Sequence, residues 1–296
     1  MSISRQNLSV IIVTFKSEKV IHNCIKSIPK DINIVIVDNS NNRIFKENIE
    51  KKYKNTECIL SEQNLGMGAG NNMGLKKIKT DYAFIINPDV ILEKNTIEEI
   101  ILASNYINTF GIISPILNLE KYPNFKLDKK KGQTYNPINP FKVKSVDGFA
   151  MVLNIKKLNK LKSFENLKYF DENFFMYLEN DDLCKRIINQ NEDIYVIPTS
   201  KINHLGASAV DKKYKLQIEL SRNWHWIWSK FYFNKKYYGF LFAFINGLPS
   251  FFSACLKFIF YSILNQKKKN IYYHRASGFL CSLIGKKSYL RPKVDS

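Results

Sequence analysis

The strongest constraint on how this chain folds is a pair of short, uninterrupted β-branched runs with one helix-length of sequence between them. Leu8 to Phe15 reads LSVIIVTF, and Ile32 to Val37 reads INIVIV. A strand with one wet face alternates in polarity, so a continuous apolar run marks a strand buried on both faces, as in a parallel sheet. Val20, Ile21, Cys24, Ile25 and Ile28 recur at helical spacing between the two runs, and Pro29 stops that helix. The three pieces make a βαβ unit. Open parallel sheets hold ligands beyond the carboxyl ends of their strands, so Thr14, Phe15, Asp38 and Asn39 converge on one pocket.

The same pattern continues. Cys58 to Leu60 reads as a short strand leading into Glu62 to Gly74, where glycines and asparagines let the backbone approach a ligand and open a helix whose N-terminal amides attract phosphate. This loop has neither the GxGxxG nor the GxxxxGK[ST] spacing. Tyr82 to Ile86 is a strand that ends in Asn87-Pro88-Asp89, which puts a carboxylate over the same crevice, placed to hold a divalent cation between two phosphates. Asn-Pro-Asp is also ordinary turn chemistry. Ile97 to Ile107 reads as a helix, Gly111 to Leu117 as a strand, Tyr122 to Val143 as a long polar loop, and Val146 to Asn154 as strand-like. Ile194 to Ile197 gives one more strand that ends at Pro198, followed by a polar turn around His204.

One stretch stands apart from this framework. Phe170 to Arg186, FDENFFMYLENDDLCKR, sets Asp171, Glu172, Glu179, Asp181 and Asp182 among Phe170, Phe174, Phe175, Met176 and Tyr177. Apolar groups of this size need burial, so the segment lies against a core, and carboxylates beside such a surface are where general bases are found. Taken alone, a charged helix face accounts for it equally well.

Charge narrows the partners. Forty-five Lys and Arg against 26 Asp and Glu give +19, which favours anionic ones: nucleic acid, nucleotide phosphates or an anionic membrane face. No nucleic-acid reading motif accompanies the charge, so nucleic acid is not expected as a partner. Five widely spaced cysteines without a CxxC pair argue against a disulfide framework or a zinc cluster, and point to a reducing setting. The N-terminal apolar run is too short for a signal peptide, which leaves the chain on the cytosolic side.

Seven motifs occur in order: VIIVTF, VDNS, NLGMGAGNNMG, NPDV, GFAM, FDENFFMYLENDDLCKR and INHLG. Together they resemble the inverting glycosyltransferases of family 2, and among them the rhamnosyltransferase-like branch of bacterial polysaccharide synthesis. The resemblance covers roughly residues 8 to 232. It implies an α/β fold of the GT-A type, Rossmann-like, with a mostly parallel central sheet flanked by helices. It further implies that Thr14 and Asp38 hold the nucleoside of a UDP- or dTDP-sugar, and that Asn64, Gly66 and Asn71 line nucleotide and sugar. Asp89 takes the second acid of the family's DxD site and Asn87 its first, so Asp89 holds Mg²⁺ or Mn²⁺ with the diphosphate and water; His204 matches a histidine that completes this site in some relatives. The family's usual base falls at Asn180, an amide. Glu179 is the best substitute, since it precedes the helix and lies beside apolar Tyr177 and Leu178, an environment that raises a carboxyl pKa; Asp182 and Asp181 remain alternatives, Asp182 also as a partner of Arg186 four residues on. The two asparagines, Asn87 and Asn180, raise a second reading, a catalytically impaired nucleotide-sugar-binding scaffold on a membrane.

After Arg222 the composition changes. Asn223 to Phe233 is dense in aromatics flanked by lysine, and Tyr237 to Leu256 carries no charge, although Gly247 and Pro249 interrupt it. Twenty such residues are long enough to span a bilayer, while the Gly-Leu-Pro break favours a hairpin in one leaflet or two interfacial helices. The sequence therefore divides into a GT-A domain at 1–220 and an apolar helical membrane-associating region at 221–296. It places the chain at the cytoplasmic face of the inner membrane, with a lipid-linked or glycan acceptor.

Overall fold

The computed structural model describes residues 2–118, 122–206 and 214–292. Strands and helices alternate through the first third: β1 (Leu8–Thr14), α1 (Ile21–Ser27), β2 (Asn33–Asp38), α2 (Arg43–Lys52), β3 (Thr56–Leu60), α3 (Met67–Leu75) and β4 (Tyr82–Ile86). There follow β5 (Val90–Leu92), α4 (Thr96–Tyr106), β6 (Ile112–Leu117), β7 (Phe125–Lys126), β8 (Phe141–Lys142), β9 (Ser145–Val146), β10 (Ala150–Asn154), α5 (Ile155–Leu158), α6 (Glu179–Asn189) and β11 (Ile194–His204). The main sheet runs β3-β2-β1-β4-β10-β6-β11-β5, with β8 on β11. Its first four strands are parallel, β10 lies antiparallel between β4 and β6, and β6 and β11 are parallel again. This is an α/β fold with a mixed sheet of the GT-A type.

The continuous apolar runs are explained by the two cores. Val10 and Ile12 of β1 face one cluster, with Ile21, Ile25 and Phe45 from the helices; Ile11 between them faces the other, with Leu75, Leu183 and Ile187. Every residue of β1 is buried. α3 comes close to β1 because Gly70 and Gly74 face it: a Cβ at Gly70 would lie 2.8 Å from Val13 Cγ1, and one at Gly74 2.7 Å from Ile11 Cγ2. These two glycines serve helix–sheet packing, whereas the sequence reading had assigned the run to a ligand.

Three local expectations are corrected. β11 does not stop at Pro198 but continues to His204, absorbing the proline with a register shift between Ile197 and Lys201. The strand expected over Val146 to Asn154 is split by a turn at Asp147–Phe149 into β9 and β10. The Gly-Leu-Pro break does not break the tail: Pro249 lies inside one continuous helix, at an exposed position.

The chain divides into two compact units, one comprising 1–171 and 180–210, the other 172–179 and 211–296. The second is built from α7 (Lys215–Tyr238), α8 (Phe240–Ile263) and α9 (Lys269–Leu283), the first two joined at Gly239, whose φ of +87° suits glycine. Trp224, Ile227, Trp228 and Phe231 of α7 and Phe279 and Cys281 of α9 form its interior. The eight residues Glu172–Glu179 belong to this helical unit, not to the sheet that flanks them in sequence.

Candidate active site

The parallel strands end side by side, with Thr14 in register with Asp38. Both are buried, and the Thr14 hydroxyl donates to Asp38 Oδ1 at 2.9 Å. Asp38 also accepts from Ser40 Oγ at 3.1 Å and from the Asn42 amide at 2.9 Å, so its carboxylate ties down the turn that follows β2. The Lys16 amide donates to Ser40 Oγ at 2.7 Å, which links the turn after β1, next to Phe15, to the same network. Asn39 carries the connection onward: its Nδ2 donates to the Gly66 carbonyl at 3.0 Å, and its Oδ1 accepts from Ser61 Oγ at 3.0 Å and from the Leu65 amide at 3.4 Å. Asn64 Oδ1 accepts from the Gly66 amide at 3.1 Å. Gly66, at φ +83°, caps α3, a backbone state that side chains disfavour. Thr14, Asp38, Asn39, Asn64 and Gly66 are thus one hydrogen-bonded floor, and Asn71 follows one turn into α3.

Asp89 and His204 are adjacent. β5 pairs with the end of β11, putting His204 opposite Val90, and His204 Nε2 lies 3.2 Å from Asp89 Oδ1. The Phe149 ring stacks on the imidazole at 4.2 Å. The oxygens Asn71 Oδ1, Asn87 Oδ1 and Asp89 Oδ1 are buried without a hydrogen-bond donor among the described residues, although the last is within ion-pair distance of His204. Buried acceptors without donors favour a cation or a donor-rich ligand. Oxygen atoms of this kind suit a hard divalent ion. Among the described residues no three His, Cys, Asp or Glu side chains cluster as a metal cage, so an ion held by Asp89 and His204 takes its remaining ligands from amide oxygen, diphosphate or water.

The acidic stretch resolves into separate roles. Asp182 is fully buried and receives Arg186 Nε at 2.8 Å; the guanidinium also donates to the Tyr169 and Ser163 carbonyls and covers the Phe164 ring at 4.7 Å. Asp182 therefore holds α6 in place. Asp181 pairs with Lys126 Nζ at 2.8 Å. The Asn180 amide donates to the Val146 carbonyl at 2.8 Å. Glu179 is the last residue of the segment in the helical unit, and directly ahead of it Tyr177 and Leu178 both have left-handed backbones, φ 69° and 67°.

Within the helical unit that segment is held from many sides. Phe174 packs edge-on against Tyr232 at 4.9 Å, Phe175 lies between His225 at 4.6 Å and the Arg291 guanidinium at 3.8 Å, and Tyr177 meets Trp226 edge-on at 5.4 Å. The Met176 carbonyl accepts from Ser229 Oγ at 2.8 Å. Burial holds the His225 imidazole down to about 4 and Arg291 beside it lowers it further, outweighing the Leu290 carbonyl, which accepts from Nε2–H at 2.6 Å and favours the proton. Burial also lowers Arg291 to about 10.

One residue went unnoticed in the sequence. Asp147 sits in the turn between β9 and β10, where burial raises its carboxyl pKa, Lys126 and His204 lower it, and Asp181 raises it again. These neighbours place it near the Asp181–Lys126 pair and the His204 end of the site. Asp-Gly in sequence reads as a turn, and only the fold brings those partners to it.

Comparison with known proteins follows the same outline. Residues 9–146 match Glycosyl transferase family 2. The low-salt glycan biosynthesis hexosyltransferase Agl10 of Haloferax volcanii is 31% identical over 204 residues, 64% of this chain and 64% of that protein. The chain thus spans just under two thirds of that relative's length. GalNAc-T7, solved with UDP, GalNAc and Mn²⁺, superposes with a TM-score of 0.53 at 15% identity, covering 79% of this chain and 52% of its own. Residues 1–349 of S. aureus TarS superpose with a TM-score of 0.52 at 16% identity, covering 94% and 92%. At these identities the two structures establish the fold.

Proposed function

We propose that this chain, whose residues 9–146 match Glycosyl transferase family 2, is a metal-dependent inverting hexosyltransferase of cell-surface glycan synthesis. It moves a sugar, rhamnose by the branch it resembles, from a UDP- or dTDP-sugar to a membrane-linked glycan acceptor at the cytoplasmic face of the inner membrane. The observation that carries this reading is Asp89 Oδ1, buried 3.2 Å from His204 Nε2 in the turn after β4, with Asn87 Oδ1 two residues ahead of it and Asn71 Oδ1 on α3 likewise buried without a donor among the described residues. In it, Thr14, Phe15, Asp38 and Asn39 shape the nucleoside end, and Asn64, Gly66 and Asn71 line the diphosphate and sugar. Asp89 and His204, with Asn87, hold Mg²⁺ or Mn²⁺. Such an ion supplies positive charge to the departing diphosphate. Glu179 takes the proton from the acceptor hydroxyl as that oxygen attacks the anomeric carbon from the face opposite the diphosphate, and one displacement inverts the centre.

The experiment is direct. Purified protein is incubated with Mn²⁺ or Mg²⁺ and a panel of UDP- and dTDP-sugars; binding and slow hydrolysis of one of them, lost with EDTA, is expected, and failure with all of them overturns the proposal. A specific observation favours the second reading, a nucleotide-sugar-binding scaffold: the slot of the family's usual base is Asn180, whose amide is already engaged by Val146. Donor binding without turnover on any acceptor selects it.

A further inference from the structure

The helical unit carries a surface that its own packing leaves uncovered. At about 100° per residue, Leu241, Ile245, Phe252, Leu256, Ile259 and Ile263 of α8 fall within about 60° of one another, and each is between 55% and 78% exposed. The opposite side of α8 is where it packs. Ala243 and Ala254 are buried there, a Cβ at Gly247 would lie 2.2 Å from the Phe279 ring, and Phe251 stacks on the same ring at 5.1 Å. The outer stripe is apolar and unbroken by charge along the helix. An exposed patch of that length marks an interaction surface.

Charge identifies the partner. Between Leu220 and Pro292 the sequence has twelve basic side chains and no acidic one. Lys235 and Lys236 lie at one end of α8 and Lys267 and Lys268 at the other, all exposed, while Lys257 emerges between them. A protein partner for the stripe would need a strongly acidic frame around an apolar ridge. An anionic bilayer surface presents that combination everywhere.

Length and composition alone allow α8 to cross a bilayer; it is the one helix among the described residues that does so. Its neighbours argue otherwise. α9 runs back along α8, as Phe251 against Phe279 and Tyr261 against Tyr272 at 5.4 Å show, and it carries His274 and Arg275. α7 packs on both, with Phe231 against Phe240 and Phe279, and carries Lys230, Lys235 and Lys236. A spanning α8 would draw these charges into the hydrocarbon with it. We infer that α8 lies in the plane of an anionic membrane, its Leu241-to-Ile263 stripe in the acyl boundary and its flanking lysines among the headgroups. This deepens the membrane placement in the proposed function and stands apart from the chemistry.

The test uses the full chain and vesicles rich in phosphatidylglycerol or made of phosphatidylcholine alone. Sedimentation with the anionic vesicles, weakened by salt, is expected. Ile245→Asp combined with Ile259→Asp, both at exposed positions, should cut that partition by about tenfold or more while circular dichroism and melting temperature stay unchanged. A bimane placed by Ile245→Cys, Phe252→Cys, Ile259→Cys or Ile263→Cys in a Cys255→Ser background should be quenched to one depth by brominated lipids. A steady depth gradient over the roughly 27 Å between the first and last position, or retention through a carbonate wash, overturns the in-plane placement in favour of a spanning helix. Unchanged partition of the double variant overturns the stripe. A dimer that the double variant dissociates, with no vesicle binding by the parent, assigns the face to a second copy instead. Donor hydrolysis is measured without vesicles, so its loss sinks the enzymatic reading and leaves docking standing, and the reverse holds.

Discussion

Tyr177 and Leu178 occupy left-handed backbone states immediately before Glu179. Each costs about 1–3 kcal/mol for a residue with a side chain and persists only where the surroundings enforce it; here Tyr177 against Trp226 and Ser229 on the Met176 carbonyl do so. In the proposed function Glu179, directly after Leu178, is the working acid of the stretch, whereas Asp182 is engaged by Arg186 Nε at 2.8 Å. Glu179→Gln should lower transfer by about 100-fold or more with donor binding by calorimetry and melting temperature preserved; retained turnover moves the role to Asp182 or Asp181. Asp182→Asn should act in the opposite way, lowering the melting temperature by removing the buried negative charge that faces the Arg186 guanidinium, an effect of about 1–3 kcal/mol. His225 makes stability depend on pH. Its imidazole has an ordinary value of 6.5 and is held to about 4 in the folded chain, so below pH 6.5 the unfolded chain gains a proton that the folded one refuses. The contribution is complete above pH 6.5 and is lost as pH falls toward 4. At about 1.4 kcal/mol per pH unit it amounts to about 3 kcal/mol, so melting temperature should drop between pH 7.5 and 5, and His225→Gln should flatten that slope.

At the scale of elements, α7 and α9 approach backbone to backbone. A Cβ at Gly278 would lie 2.5 Å from the Trp224 carbonyl oxygen, and backbone does not move aside as a flexible side chain does. Gly278→Ala should therefore cost about 1–3 kcal/mol, read as a lower melting temperature of the helical unit. The elements differ in how far the sequence disclosed them. β1, β2 and β4 were legible to within a residue because strands buried on both faces are dominated by β-branched and apolar residues. α2 was not anticipated, its ten residues carrying only Ile44, Phe45 and Ile49 as large apolar groups. The path of β11 through Pro198 was hidden because a proline reads as a stop, and a register shift that accommodates it is set by the neighbouring strand. In the site, the strand-end residues Thr14, Asp38 and Asp89 were readable from position alone. Asp147 was not, since its partners come from β7, α6 and the end of β11.

For the molecule as a whole, the segment Glu172–Glu179 leaves the sheet unit, is built into the helical one, and returns at Asn180. A single cut cannot separate the two. A chain ended after Glu219 looks, from the composition, like the sheet domain alone, yet it would keep Phe174 and Phe175, fully or nearly fully buried here, and discard Tyr232, His225 and Arg291 that cover them. Two large aromatics would then face water beside the strained residues before Glu179. Such a truncation should aggregate or melt below the full chain by light scattering and calorimetry, and a well-behaved, active product would refute this. Whatever anchors the helices also holds the loop that ends at Glu179, so either unit can be exchanged for another only by re-threading eight residues.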